Sequence, residues 1–198
     1  MNIKKIAIAG AGGIGSNLIG ILFDYGYHRK QFPYSQIDVD IYDDDTIDIK
    51  NLLHQNFKID DIGKYKVEVL ENRYVVNGIK RRMTQEDFKD YDVIFSCVDS
   101  MTFRKSLYEY GWKEENKKLF WIDGRCTSRQ GALFNSELPK DVLLQYINDS
   151  TEEGGCLHAY EKEENISHTL PTTIASMMVQ CFLNKTRNQK TSKLIFMV

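Results

Sequence analysis

The sequence predicts an α/β protein: a doubly wound, Rossmann-like, mostly parallel sheet with flanking helices. Three observations lead there. Strand-patterned segments alternate with segments of helical period, as βαβ units require. Two strand segments, Ile6-Ala7-Ile8-Ala9 and Val93-Ile94-Phe95-Ser96-Cys97-Val98, are short and continuously apolar, as parallel strands covered on both faces should be. A glycine cluster stands between the first of these runs and the first helical pattern.

In chain order, the run at residues 6–9 is the first strand. Ile14, Leu18, Ile21, Leu22 and Tyr25 then recur at helical spacing, so the glycine turn opens a helix. Ile37, Val39 and Ile41 alternate with Asp38 and Asp40, which predicts a second strand with one polar face. Asp40 is an oddity there, because a strand covered on both faces would place an apolar residue at that position. Ile62, Tyr65, Val69 and Leu70 give a helical period between Ile62 and Val75. The apolar strand from Val93 is followed by a helix through Tyr110. Leu119–Ile122 and Gly131–Asn135 are further strands, and an apolar helix runs from Ile174 to Leu183. Residues 149–169 carry five glutamates and little periodicity, which predicts a long, mobile, surface-crossing loop of the kind that often has a function. No repeat or linker divides the chain, so 1–198 reads as one domain.

Composition narrows the function. With 26 Lys plus Arg against 28 Asp plus Glu, the formal charge is −2. That balance argues against a general nucleic-acid binder, whose affinity comes from excess cations. No apolar run approaches the 18 residues of a membrane span, and the N-terminus lacks a signal-peptide layout. The four cysteines, Cys97, Cys126, Cys156 and Cys181, form no CxxC pair. Free thiols in a cytoplasmic protein are therefore expected, with no zinc knot.

Gly10-Ala11-Gly12-Gly13-Ile14-Gly15 satisfies G-x-G-x-x-G between a strand and a helix. Small residues there let backbone N–H groups approach phosphate oxygens at the positive end of the helix dipole. Gly10, Gly12, Gly13 and Gly15 are accordingly nucleotide-binding candidates. A dehydrogenase would place a ribose-binding acid roughly 20 residues on, whereas Asp43-Asp44-Asp45 begins 28 residues after Gly15.

The residues from that cluster onward carry a resemblance. Asp43-x-Asp45-x-Ile47-x-x-x-Asn51-Leu52-x-His54-Gln55 precedes Asp61-Ile62-Gly63-Lys64-x-Lys66-Val67-Glu68, and later come Cys97-Val98-Asp99-Ser100 and Arg104. Cys156 then precedes Thr169-Leu170-Pro171-Thr172-Thr173 and the apolar helix. In this order the motifs resemble the ThiF/MoeB/ubiquitin-activating (E1-like) adenylyltransferase superfamily, in a short form without zinc cysteines. The likeness spans residues 3 to about 185.

The resemblance implies ATP-dependent adenylation of the C-terminal carboxylate of a ubiquitin-like or sulfur-carrier protein, with ATP and Mg2+ as cofactors and a homodimer as the assembly. Asp43 would hold the ribose hydroxyls, and Asp45 would assist; a solvated acidic turn is the other reading of the pair. Asn51 would contact the phosphates, or else cap a helix before Leu52-Leu53. Lys66 would neutralise the triphosphate, against the plainer reading of a solvated helix lysine. Asp99, at the C-terminal end of a buried strand, is the implied magnesium ligand and catalytic residue, since magnesium takes hard oxygen ligands. Cys156 would accept the acyl group as a thioester, despite acidic neighbours that raise a thiol pKa. His54 stands where the family has a phosphate-gripping arginine. An imidazole is a weaker clamp than a planar guanidinium at neutral pH, so reduced activity is expected. The sequence also starts at the first strand, without the N-terminal helix that supplies an arginine in bacterial relatives. Those departures keep a second reading open, a catalytically weakened ThiF-like scaffold. A third, an NAD-dependent oxidoreductase, has the glycine turn alone behind it.

Overall fold

The computed structural model describes residues 3–127, 129–148, 169–191 and 194–197. Its first half comprises β1 (Lys5–Ala9), α1 (Gly13–Phe23), β2 (Asp38–Tyr42), α2 (Lys66–Arg73), β3 (Asn77–Ile79) and β4 (Val93–Ser96). Its second half comprises α3 (Met101–Gly111), β5 (Phe120–Cys126), β6 (Gln130–Asn135), α4 (Lys140–Asn148), α5 (Leu170–Thr186) and β7 (Leu194–Met197). The strands form one seven-stranded sheet in the order β3-β2-β1-β4-β5-β6-β7. Pairings from β3 through β5 are parallel, and β6 lies antiparallel to both β5 and β7. This is the doubly wound sheet the alternating pattern predicts.

Period-two alternation sends successive residues of each strand to opposite layers. On one face Ile6, Ile8 and Phe95 meet Leu18 and Leu22 of α1 and Ile174, Met178 and Phe182 of α5. On the other, Ala7, Ala9, Ile94 and Trp121 meet Leu107 and Tyr108 of α3 and Leu143 of α4. Pro171 is the second residue of α5, and its fixed φ and missing N–H suit a first helical turn. The Phe182 ring stands edge-on to Phe95 and Phe32, with centroids 5.7 and 5.2 Å away. Truncating a ring so enclosed costs about 3–5 kcal/mol.

Three features depart from the sequence expectations. The helix expected from Ile62 to Val75 is α2 alone; Ile62 and Tyr65 precede it and are exposed. The second strand has no uniformly polar face, because Asp40 is buried. Its carboxylate is paired with Lys5 at 3.2 Å and accepts the Tyr91 hydroxyl at 2.6 Å. That pairing answers the oddity of an aspartate in a covered strand. Finally, β3, α4 and β7 have no counterpart in the sequence pattern. The expected crossover loop falls on residues 149–169, of which only Thr169 is described.

Candidate nucleotide site at the carboxyl ends of β1, β2 and β4

The glycine loop joins the end of β1 to α1. Gly10 has φ +92°, a left-handed conformation that favours glycine, and a Cβ there would stand 2.8 Å from the Cys97 carbonyl oxygen. At Gly15 a Cβ would overlap the Gly10 carbonyl oxygen, so the closure of the turn onto the helix demands glycine. Gly12 is different. It caps α1 with no side-chain hydrogen bond, and a Cβ there would meet nothing within 4 Å. The first N–H groups of a helix have no intrahelical partner, so this open, uncapped end suits an anion.

Gly13 lies under the His54 ring. A Cβ on it would stand 3.0 Å from His54 Cδ2 and 3.2 Å from Pro171 Cβ. Helix α1 itself holds this segment in place. Asn17 donates to the carbonyls of Gly13 at 2.7 Å and His54 at 3.3 Å, and Ser16 Oγ accepts the Asn56 N–H at 3.0 Å. The imidazole is thus placed beside the first turn of α1.

Asp43 comes just after β2 and is tied to the glycine loop. Its Oδ2 accepts the Ala11 N–H at 2.7 Å, and its Oδ1 accepts the Asp45 N–H at 2.9 Å. Burial pushes the Asp43 carboxyl above its ordinary pKa, against the opposing pull of Lys66 and the two amide bonds. Lys66, the first residue of α2, is 5% exposed. It is therefore not the solvated helix lysine of the plainer reading. Its ammonium sits 2.7 Å from Asp45 Oδ2 and 3.7 Å from Asp43 Oδ1, and its backbone N–H donates to the Asp45 carbonyl at 3.1 Å. Asp43, Asp45 and Lys66 form one charged unit against the glycine loop. The neighbouring Asp44 is engaged by Arg82 at 3.1 Å.

Asn51 lies in the 3₁₀ turn Ile49–Leu53, where its Oδ1 accepts the Asp48 N–H at 2.7 Å. Asp48, not Asn51, is the cap of that turn. Asp99 is exposed, in the turn between β4 and the start of α3. A carboxylate at the carboxyl end of a parallel strand faces the crevice in which open α/β sheets bind ligands. Cys156 lies outside the described residues. Cys97 is half-buried beyond β4, while Cys126 and Cys181 are buried.

One cluster carries no signal in the sequence. Asp123, on β5, is fully buried, with Arg104, Arg125, Ser96 and Tyr108 around it. Burial would raise its carboxyl, but the two guanidinium groups and the hydroxyl hydrogen bonds hold it below its ordinary pKa. Arg104 belongs to a sequence motif, but no local pattern pairs it with an aspartate 19 residues away.

Against known proteins, the model described as the ThiF family matches residues 2–195. The chain belongs to the ThiF family. This ThiF-family chain is 25% identical over 162 residues to the NEDD8-activating enzyme E1 catalytic subunit of Dictyostelium discoideum, covering 76% of the chain and 31% of that protein. It resembles E. coli MccB solved with ATP with a TM-score of 0.68 at 17% identity, covering 98% of the chain and 60% of MccB. It also resembles the E. coli tRNA N6-threonylcarbamoyladenosine dehydratase TcdA, with a TM-score of 0.65 at 16% identity, covering 93% of the chain and 86% of TcdA. At these identities the solved structures show a shared fold. The chain spans under a third of the curated relative and about 60% of MccB. Among the described residues, no helix is long and apolar enough to cross a membrane.

Proposed function

We propose that this ThiF-family chain uses ATP and magnesium to adenylate the C-terminal carboxylate of a ubiquitin-like protein, sulfur carrier or peptide. The observation behind this is the convergence of the Asp43–Lys66 unit on the open N-terminus of α1 through the Ala11 N–H. A buried ammonium at this place suits the negative charge that develops as phosphates depart. The names of similar proteins support the same direction, an E1 catalytic subunit and an MccB solved with ATP and, separately, with AMPCPP and MccA.

In the reaction an oxygen of the substrate carboxylate attacks the α-phosphorus. The anhydride bond to the β-phosphate breaks, and pyrophosphate leaves with the bond electrons. The first N–H groups of α1 after Gly12 would take the phosphates, and the Asp43 carboxylate would accept the ribose hydroxyls. Lys66 would turn from Asp45 toward the departing phosphates, neutralising charge as it develops. Asn51 and His54 would flank the phosphates. Asp99 would supply a hard oxygen for magnesium, which when bound would shield the triphosphate charge. Adenylation yields an acyl-adenylate, whose carbonyl carbon the Cys156 thiolate would then attack, forming a thioester as the bond to AMP breaks and AMP leaves. The site would be completed in a homodimer, in the cytoplasm.

Calorimetric titration with ATP·Mg and with NAD tests the first step. ATP should bind more tightly, and tighter binding of NAD would overturn the proposal. With a carrier ending in Gly-Gly, pyrophosphate exchange into ATP should appear and should be lost in Asp99→Ala. Cys156→Ser should keep that exchange and lose a hydroxylamine-sensitive adduct. His54, in place of a guanidinium, favours a weakened scaffold as the second reading; ATP binding without any exchange would support it.

A further inference from the structure

A fully buried carboxylate is an expensive way to fill a sheet, because an apolar residue of similar volume often holds a fold as well. Asp123 is such a group, and its hydrogen bonds converge on one place. Oδ1 accepts Ser96 Oγ at 2.6 Å and Arg104 Nε at 3.1 Å; Oδ2 accepts Tyr108 OH at 2.5 Å and Arg125 Nε at 2.8 Å. Ser96 is the last residue of β4. Arg104 lies one turn into α3, and its Nη2 donates to the Val98 carbonyl. The turn carrying Asp99 is therefore fastened to one carboxylate on both flanks, by Ser96 on the strand side and by Arg104 on the helix side, and Arg104 also holds the Val98 carbonyl.

The same turn is bounded on its other side. Cys97 donates its N–H to the Ala9 carbonyl at 2.8 Å, and the Cys97 carbonyl abuts Gly10 of the phosphate loop. Ser100 Oγ accepts the Phe103 N–H at 3.3 Å and so fixes the start of α3. Within this frame Asp99 is the exposed residue. We infer that Asp123 is a positioning residue: through Ser96 and Arg104 its buried charge sets the height and direction of the turn that presents Asp99 to the nucleotide crevice. This rests on the role proposed for Asp99, and the test separates the two.

Three variants serve: Asp123→Asn, Ser96→Ala and Arg104→Lys. A lysine at 104 keeps a positive charge for Asp123 but has no fork to reach Val98 at the same time. Leu107→Ala, in the same layer on α3, is the comparison for stability lost without touching the turn. The first readout is amide hydrogen exchange from Cys97 to Phe103 in the nucleotide-free protein. It should rise at least tenfold in the three variants relative to the comparison variant. The second readout is the magnesium concentration for half-maximal pyrophosphate exchange, which should rise tenfold while metal-free ATP affinity changes less than twofold. If Asp123→Asn fails to fold, Ser96→Ala and Arg104→Lys carry both readouts. Amide exchange in the turn no faster than in Leu107→Ala overturns the positioning role. Wild-type protein without pyrophosphate exchange overturns the adenylation proposal alone, and the amide readout still decides this one.

Discussion

Replacing Lys66 by Met tests the charged unit at the site. Methionine occupies much the same volume as the buried lysine stem, so packing is nearly conserved and the charge is what is lost. Lys66 has two acidic partners, and distance alone misranks them. Asp45 is nearer, at 2.7 Å, but its side chain is 60% exposed, and pairs open to water contribute about 1 kcal/mol or less. Asp43 is farther, at 3.7 Å, but both side chains are nearly enclosed. At an effective dielectric of about 20, that separation corresponds to about 4.5 kcal/mol of attraction. The Lys66 charge opposes the upward push of burial on the Asp43 carboxyl, so the variant should raise the Asp43 pKa further. Removing one partner of an enclosed ion pair costs about 3–5 kcal/mol, or a melting temperature lower by about 6–20 °C for a domain of this size. The sign in pH comes from the direction of the shift. The folded-state pKa of Asp43 already lies above its ordinary value. Its favourable contribution is thus present below about pH 3.9 and lost as pH rises through the folded-state pKa. Raising that pKa further widens the loss, so variant and wild type should converge near pH 4 and separate toward pH 7. Thermal denaturation from pH 4 to 8 reads this, with Asp45→Asn costing about 1 kcal/mol or less. A difference between Lys66→Met and wild type that is constant with pH, or an Asp45→Asn cost equal to it, would refute the reasoning.

The glycine loop yields a paired prediction. Gly15→Ala drives a methyl into the Gly10 carbonyl and should cost about 3 kcal/mol or more in denaturant unfolding. Gly12→Ala has open space and should fold normally yet weaken ATP in calorimetry; equal stability loss in the two would contradict the geometry. At Cys181, burial pushes the thiol up to about 12, which leaves about a thousandfold less thiolate at pH 8 than an ordinary cysteine has. Iodoacetamide mass spectrometry of the native protein should find it unmodified, and labelling at the rate of the denatured chain would refute that.

The parts of the fold legible in sequence are those with strong local period. The apolar runs of β1 and β4 and the spacing of Ile14, Leu18 and Leu22 need no distant information. β3 escapes because Asn77-Gly78-Ile79 is three residues long and two of them disfavour strands. The helix through Ile62 is overextended because Ile62 and Tyr65 mimic a core stripe while lying exposed before α2. At the site, residue types and order point to Asp43 and Lys66, but the enclosure of Lys66 comes only with the folded turn. Asn51 shows the limit of local reasoning, since its type suits a cap and it instead accepts from the cap residue, Asp48. Asp123 is invisible because its meaning lies in partners on β4, α3 and its own strand, brought together by parallel pairing.

The strand order also sets a schedule for synthesis. β1 leaves the ribosome before either of its neighbours in the sheet, β2 and β4. Ile6–Ala9 are fully enclosed only when Val93–Ser96 have been made. At about 5–20 residues per second, the nascent chain carries that apolar strand with one edge unpaired for roughly four to twenty seconds. A hairpin-first protein hides its first strand almost at once; this one must keep it from other chains while the second neighbour is still being translated. The stretch that needs protection in that interval is residues 6–9, and the need ends when β4 emerges to pair with it.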